Sequence, residues 1–258
     1  LPHEQVYSVN VGDQLFRLSG ASLSYDAPSY FTKYFQTADS SAPLYIDRSP
    51  QVFTSIVRHL QGYHVAPKDE VDFVYLYADA HYYQLPKLIR QLYNSEIFVR
   101  IGAAPFRIPR ELLTHPGDTP NFFTVSFSAF FGSPQDIFPG TKGLMRPPAV
   151  SPPYVPMHSD ELFAELLQAL KGAPVDIRSD DHRERLLREC RYYRLRGLEQ
   201  KLLSHRIEFN AGTAREEITL RLQDLKPKGV SLQDAAGPRA VLYARPFVDA
   251  APRDLLVQ

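Results

Sequence analysis

The sequence predicts an α+β protein in which a small β-sheet covered by helices occurs twice and is followed by a short β-rich tail. Three observations support this fold class: alternating apolar residues on both sides of a glycine, apolar residues at helical spacing further along, and the recurrence of both patterns 90 to 110 residues later. The chain has 258 residues, of which 44% are hydrophobic, so it is long enough to bury two modest cores. We expect a first domain at 1–94, a second at 95–206 and the tail at 207–258.

Each copy begins with a predicted β-hairpin. Residues 9–18 alternate between apolar and polar types on both sides of a glycine, and residues 99–108 repeat this pattern. A glycine at the centre permits the turn that such a hairpin needs. An aromatic segment follows each hairpin, at 30–35 in the first copy and at 122–127 in the second.

The helices that come next share an offset of 110 residues. Apolar residues at 53–60 have the i, i+3, i+4, i+7 spacing of one helical face, and residues 163–170 repeat it. Further apolar positions over 76–92 recur over 186–202. An offset that stays constant over about 45 residues is hard to obtain by chance, so the repeat extends through these helices.

Two segments fall outside the repeat. The offset rises from 92 to 110, and the extra residues fall within 132–156, which contains seven prolines. Proline breaks helices and sheet ladders, so this insertion is predicted as an extended surface loop, either a spacer or a docking segment. In the tail, residues 218–222 and 240–243 alternate as strands do.

Several segments of the first copy form a distinctive set, namely residues 9–16, the aromatic segment 31–35, residues 44–53 with the run Tyr-Ile-Asp-Arg-Ser-Pro, and residues 56–85. Over residues 5–93 this set resembles the potassium-channel tetramerisation subfamily of BTB/POZ domains. The second copy is similar mainly through its pattern. Two such domains with a proline-rich insertion also resemble fungal stress-response and growth-control proteins whose partners include phosphatases.

The resemblance implies a scaffold or adaptor that self-associates and docks signalling partners through BTB domains, with no catalytic activity and no cofactor. The residues agree, since the chain has no G-x-G-x-x-G, P-loop, G-x-S-x-G or H-E-x-x-H motif. The single cysteine, Cys190, is expected to be a small buried residue, and one cysteine excludes a cysteine-rich zinc module.

Three alternatives stay open at this point. One is a regulatory subunit of a phosphatase in stress or nutrient signalling. Another is a substrate adaptor of a cullin-type ubiquitin ligase. The last is an unrecognised hydrolase or metal enzyme built on histidine and tyrosine residues, which would need a deep polar pocket.

The charge balance favours protein partners. Twenty-nine basic residues balance 29 acidic ones, which argues against nonspecific binding of nucleic acid. No apolar run is long enough to predict direct membrane insertion. The expected partners are therefore proteins, such as a phosphatase or a ubiquitin ligase component, together with self-association or intramolecular pairing of the two BTB domains. The expected location is the cytoplasm, with the nucleus as an alternative.

Five residues are expected at interfaces, and none is expected to bind a metal or a cofactor. Asp47 and Arg48 precede a predicted helix, where an acidic group favours the helix dipole. The resemblance also implies that the pair lies near a polar subunit interface, and the two roles are not exclusive. His158 takes the place of Arg48 in the second copy. Phe130 and Phe131 are expected to form an exposed contact patch.

Overall fold

The computed structural model describes residues 1–38, 42–131, 153–232 and 240–258. Contacts group the chain into two units. Unit 1 consists of Leu1–Arg110 and Ser126–Met157, and unit 2 consists of Glu111–Val125 and His158–Gln258. The boundaries of these units differ from those expected at residues 94 and 206, so the division into three domains stays a prediction.

The first sheet lies in unit 1. Strand β1 (Val6–Val11) pairs antiparallel with β2 (Gln14–Ser19) and parallel with β3 (Leu44–Ile46), which gives the order β2-β1-β3. Gly12 forms the turn at φ +58°, a left-handed backbone that glycine adopts without strain. The hairpin predicted from the sequence is therefore confirmed.

The helices that follow in unit 1 are α1 (Gly20–Ser24), α2 (Tyr30–Thr37), α3 (Pro50–Leu60), α4 (Glu70–Tyr82) and α5 (Pro86–Ser95). Side-chain caps fix where several of them begin. The Ser49 hydroxyl accepts a hydrogen bond from the Val52 amide at the start of α3, and Asp69 accepts two amide hydrogen bonds at the start of α4. Pro50 follows Ser49 at the first helical position, where no amide donor is needed.

A second sheet of unit 1 has the same order of pairing. Strand β4 (Glu96–Ile101) pairs antiparallel with β5 (Ala104–Pro109) and parallel with β6 (Tyr154–Val155), which gives the order β5-β4-β6. Gly102 forms the turn at φ +56°, as Gly12 does in the first hairpin. Residues 132–152 of the proline-rich insertion lie outside the described residues, so its predicted conformation stays a prediction.

Helix α6 (Phe122–Phe131) contributes its last residues to the core of unit 1. The Phe131 ring packs on Phe73 and Tyr77 at centroid distances of 5.3 Å each, and the Phe131 carbonyl accepts a hydrogen bond from the Tyr77 hydroxyl at 2.7 Å. Phe131 is only 2% exposed. The expected exposed patch is therefore wrong for Phe131, because long-range packing buries it. The side chain of Phe130 lies outside the described part of the chain.

Unit 2 combines helices with a β-rich tail. The helices are α7 (Asp160–Leu170), α8 (Asp180–Tyr193) and α9 (Arg196–Leu202). The strands are β7 (His205–Asn210), β8 (Arg215–Leu220), β9 (Val230–Leu232), β10 (Val241–Tyr243) and β11 (Arg253–Val257). They form one sheet in the order β7-β8-β11-β10-β9, which confirms the predicted β-rich tail. Short 3₁₀ turns occur at Arg110–Leu113, Leu222–Asp224 and Pro227–Gly229.

Small apolar clusters hold the tail and the helices of unit 2. In the tail, Ile218, Leu220 and Tyr243 are at most 2% exposed and pack together. On α8, Cys190 is 1% exposed, as expected for a small buried residue, and burial raises the pKa of its thiol. Among the described residues, no helix is long and apolar enough to cross a membrane.

Candidate interaction site

In unit 1 the sequence-predicted residue Arg48 lies at the surface beside two residues of α4. Its guanidinium forms an ion pair with the Asp79 carboxylate and lies over the Tyr82 ring, 5.0 Å from the centroid. The Asp79 side chain is 2% exposed, whereas the Arg48 side chain is 21% exposed. The site therefore has a buried anion and a cation that solvent or a partner can reach.

The buried carboxylate depends on Arg48 for its charge. Burial raises the pKa of Asp79, while the hydrogen bond and the positive charge of Arg48 act in the opposite direction. Because burial prevails, Asp79 is ionised at a cost to stability that the guanidinium offsets only in part.

A corresponding cluster occurs in unit 2 at an offset of 110 residues for every member. His158 Nδ1 lies 2.9 Å from Glu189 Oε2, and the imidazole packs on the Tyr192 ring with centroids 3.8 Å apart and planes inclined by 31°. The Glu189 side chain is 11% exposed and that of His158 is 20% exposed. A titratable imidazole thus occupies the position that a permanent cation holds in unit 1.

Asp47 directly precedes Arg48 in unit 1 and lies before the first turn of α3. Ser49 supplies the N-cap of that helix, and the Asp47 side chain is exposed two residues before it. The structure brings Arg48 together with Asp79, which sequence reasoning did not select. The interface role predicted for Asp47, Arg48 and His158 stays a prediction.

A second pair of residues was missed from the sequence, although it follows the repeat. The buried Asp26 carboxylate accepts hydrogen bonds from the Lys87 and Leu88 amides at 2.8 and 3.0 Å, at the start of α5. Asp118, 92 residues later, accepts one from the Leu198 amide at 3.1 Å, at the start of α9. Both belong to an Asp-x-Pro triplet whose proline follows a cis peptide bond. This repeated triplet was the signal that could have identified them.

The two aspartates differ in their electrostatics. Burial acts to raise the pKa of Asp26, but hydrogen bonds from His59 and the two amides outweigh it and lower that pKa. The His59 ring nitrogen lies 2.8 Å from the carboxylate. At Asp118 burial prevails over the amide hydrogen bonds and raises the pKa, since Ala169 stands at the position of His59. These carboxylates act as buried helix caps that hold α5 and α9 in place.

Metal chemistry finds no support in the part of the chain that the structure describes. Within those residues, no group of three or more histidine, cysteine, aspartate or glutamate side chains is placed to hold a metal ion. The cluster at Arg48 is a single ion pair and the cluster at His158 is a single imidazole–carboxylate contact, and each packs on a tyrosine ring. Such clusters provide polar contacts and ring faces at a surface.

An antiparallel hairpin with a parallel third strand, followed by capped helices and a surface ion pair, defines a small α+β interaction module. Residues 7–93 match the family model of the BTB/POZ domain, so the resemblance stated from the sequence is confirmed over this segment. The N-terminal part of the chain is thus a BTB/POZ domain of the potassium-channel tetramerisation type.

Two yeast proteins are similar to most of the chain. The uncharacterized protein YDR132C of Saccharomyces cerevisiae is 42% identical over 248 residues, which cover 90% of this chain and 50% of that protein. The BTB/POZ domain-containing protein YLR108C of the same yeast is 38% identical over 235 residues, which cover 90% of this chain and 48% of that protein. The chain therefore spans about half the length of these curated relatives.

Proposed function

We propose that the chain is a non-enzymatic adaptor that self-associates and docks signalling proteins through its BTB/POZ domain. The observation that supports this most directly is the BTB/POZ domain at residues 7–93, because such domains mediate protein contacts and oligomerisation. The alignments with the two yeast relatives cover 90% of this chain, so we extend the same proposal to the region beyond residue 93.

The surface that we propose for self-association surrounds Arg48. Strand β3 is an edge strand among those described, and its central residue, Tyr45, is 62% exposed. Edge strands carry backbone groups that can pair with another chain. Asp47 and the partly exposed guanidinium of Arg48 follow directly, so this surface offers an aromatic ring and both signs of charge.

We also propose that residues 95–206 form a second, divergent BTB-like domain. Its support is the matching strand order β5-β4-β6, the helix cap at Asp118, and the cluster of His158, Glu189 and Tyr192. The two domains then offer two association surfaces, which pair with each other or with copies from other chains.

Sedimentation velocity of the 258-residue chain tests self-association. We expect oligomers at micromolar concentration, and we expect Asp47→Lys to weaken association by at least tenfold because it reverses a charge at the proposed surface. The matched control is Glu4→Lys, an exposed acidic residue before β1 and away from the end of β1 that pairs with β3, which should leave association unchanged. A strict monomer over the whole concentration range would rule out the self-association part of the proposal.

The more specific roles inferred from the sequence remain hypotheses. These are regulation of a phosphatase in stress signalling, substrate selection for a ubiquitin ligase, and a cytoplasmic or nuclear site of action. Affinity purification followed by mass spectrometry distinguishes the first two, because each names a different class of partner.

A further inference from the structure

Unit 2 contains an open cleft of about 410 Å³ that has no role in the interactions described above. It lies between the loop after α7 and the segment that runs from α9 into β7. We call it the unit 2 cleft and define it by the residues that carry its chemistry: Val175, Ile177, Arg183, Lys201, Leu202 and His205. Its volume is within the range of about 300 to 1,000 Å³ that is usual for ligand sites.

The cleft combines apolar walls with positive charge. Among the described residues that line it, Arg183 and Lys201 are the charged ones, and none is acidic. The Arg183 Nε atom is buried and makes no hydrogen bond within the described structure. Its Nη1 atom lies 3.3 Å from the exposed carboxylate of Asp180. The Arg183 side chain is 25% exposed and its partner Asp180 is 78% exposed, so solvent weakens this ion pair and a ligand carboxylate can compete for the guanidinium. Lys201 is an exposed residue of the same cleft.

His205 lines the cleft and contacts Arg245. An Arg245 Nη1 atom donates to His205 Nε2 at 2.7 Å, since a guanidinium has donors only. The proton of the imidazole must then be on Nδ1, which donates to the Leu203 carbonyl at 2.7 Å. Arg183 and Lys201 are the permanent cations among the described residues that line the cleft.

Unit 1 shows that this charge is not needed to pack the helices. The position in unit 1 that is equivalent to Arg183, at an offset of 110 residues, is occupied by Phe73, which is fully buried. Gln91 stands for Lys201, and its amide donates to the Val65 carbonyl at 2.6 Å, which ties the corresponding loop to α5. Both positions are thus uncharged in unit 1 and contribute to packing. In unit 2 both positions carry a cation, although partial burial of the Arg183 guanidinium costs solvation free energy.

We propose that the unit 2 cleft binds a short acidic peptide segment of a partner protein, with a branched apolar side chain seated between Val175 and Leu202. The carboxylates of the segment pair with Lys201 and with Arg183, where they replace the exposed carboxylate of Asp180. This inference rests on the proposed adaptor function and names the chemistry of one docking partner. It predicts a recognition mode in which charge gives orientation and an apolar anchor gives affinity.

A labelled peptide tests the proposal on the full 258-residue chain. The probe is fluorescein-Asp-Glu-Leu-Leu-Asp-Glu-amide, and fluorescence anisotropy reports binding. We expect saturable binding that Arg183→Gln and Lys201→Gln each weaken by about tenfold, which corresponds to about 1.4 kcal/mol. Replacing both leucines of the probe by serine should weaken binding at least as much. The control Lys228→Gln removes an exposed cation outside the cleft and should leave binding unchanged.

The outcomes separate this inference from the proposed function. No binding up to millimolar peptide, equal binding by the Lys201→Gln variant, or equal binding of a Lys-Lys-Leu-Leu-Lys-Lys probe would each overturn the cleft assignment. Lys201 is exposed, so its variant folds even if Arg183→Gln does not. Sedimentation of the same samples reports self-association independently. A chain that oligomerises and ignores the peptide overturns only the cleft proposal, whereas a monomer that binds it overturns only self-association.

Discussion

Replacing Arg48 by alanine tests the electrostatic account of the candidate interaction site. The substitution removes the guanidinium from the 2%-exposed Asp79 carboxylate and from the Tyr82 ring. Burial already raises the pKa of Asp79 in the presence of Arg48, and the substitution must raise that pKa further because no positive charge then opposes burial. We therefore expect Arg48→Ala to destabilise the protein at neutral pH.

The structure sets limits on the magnitude. Removing one partner of a buried ion pair costs about 3 to 5 kcal/mol, but Arg48 is 21% exposed, which reduces the loss. Protonating a carboxyl of ordinary pKa 3.8 at pH 7 costs about 4 kcal/mol. Because Asp79 can take up a proton in the variant, the electrostatic part of the lost stability cannot exceed this amount. We expect about 3 kcal/mol at pH 7. The difference should shrink below about 1 kcal/mol near pH 4, where Asp79 is protonated in the variant.

Urea unfolding at pH 4, 5.5 and 7 measures these differences. A double-mutant cycle with Asp79→Asn isolates the pair, and the two substitutions should be strongly non-additive. The control is Arg58→Ala, an exposed arginine on α3, which should cost less than about 0.5 kcal/mol at every pH. A loss for Arg48→Ala that does not change with pH would refute the reasoning, since it would show that Asp79 does not carry the penalty.

Three further predictions concern buried titratable groups. Burial lowers the pKa of His81 to about 4, so the free energy of unfolding should fall by up to about 3 kcal/mol between pH 6.5 and 4. His81→Phe keeps the ring packing on Tyr77 and should flatten this pH dependence in urea titrations. Burial acts to raise the pKa of Asp249, but Arg245 lowers that pKa to about 2. The ionised carboxylate therefore contributes about 2 kcal/mol to the free energy of unfolding above pH 4, and this contribution is lost toward pH 2. Thermal melts should show no such loss for Asp249→Asn. Asp26→Asn should cost about 2 kcal/mol at pH 7 in urea unfolding, and an unchanged midpoint would contradict the capping role of Asp26.

Local patterns made much of the fold predictable. The hairpin turns at Gly12 and Gly102 and the helices starting after Ser49 and Ser159 follow from residues that are close in the sequence. The β-rich tail followed from simple alternation. These elements depend on backbone preferences and on the spacing of apolar residues, and both can be recognised in a single sequence.

The partners of the site residues could not be predicted in this way. Asp79 lies 31 residues from Arg48, and no local pattern distinguishes it from other acidic residues of a helix. The burial of Phe131 likewise depends on Phe73, far away in the chain. The repeat did contain the missing information, because Glu189 stands at the position of Asp79 opposite His158. Comparing residue types at equal offsets would have identified both pairs.

The interleaved composition of the two units has a consequence for synthesis and for truncation. Unit 1 draws on Leu1–Arg110 and Ser126–Met157, so a ribosome must release the chain beyond residue 157 before unit 1 has all its parts. A fragment that stops at residue 94 lacks β4, β5 and β6, and leaves the Phe73 ring without its stacking partner Phe98. Truncated chains made for binding studies should therefore end after residue 157, because only then do they contain every residue of unit 1.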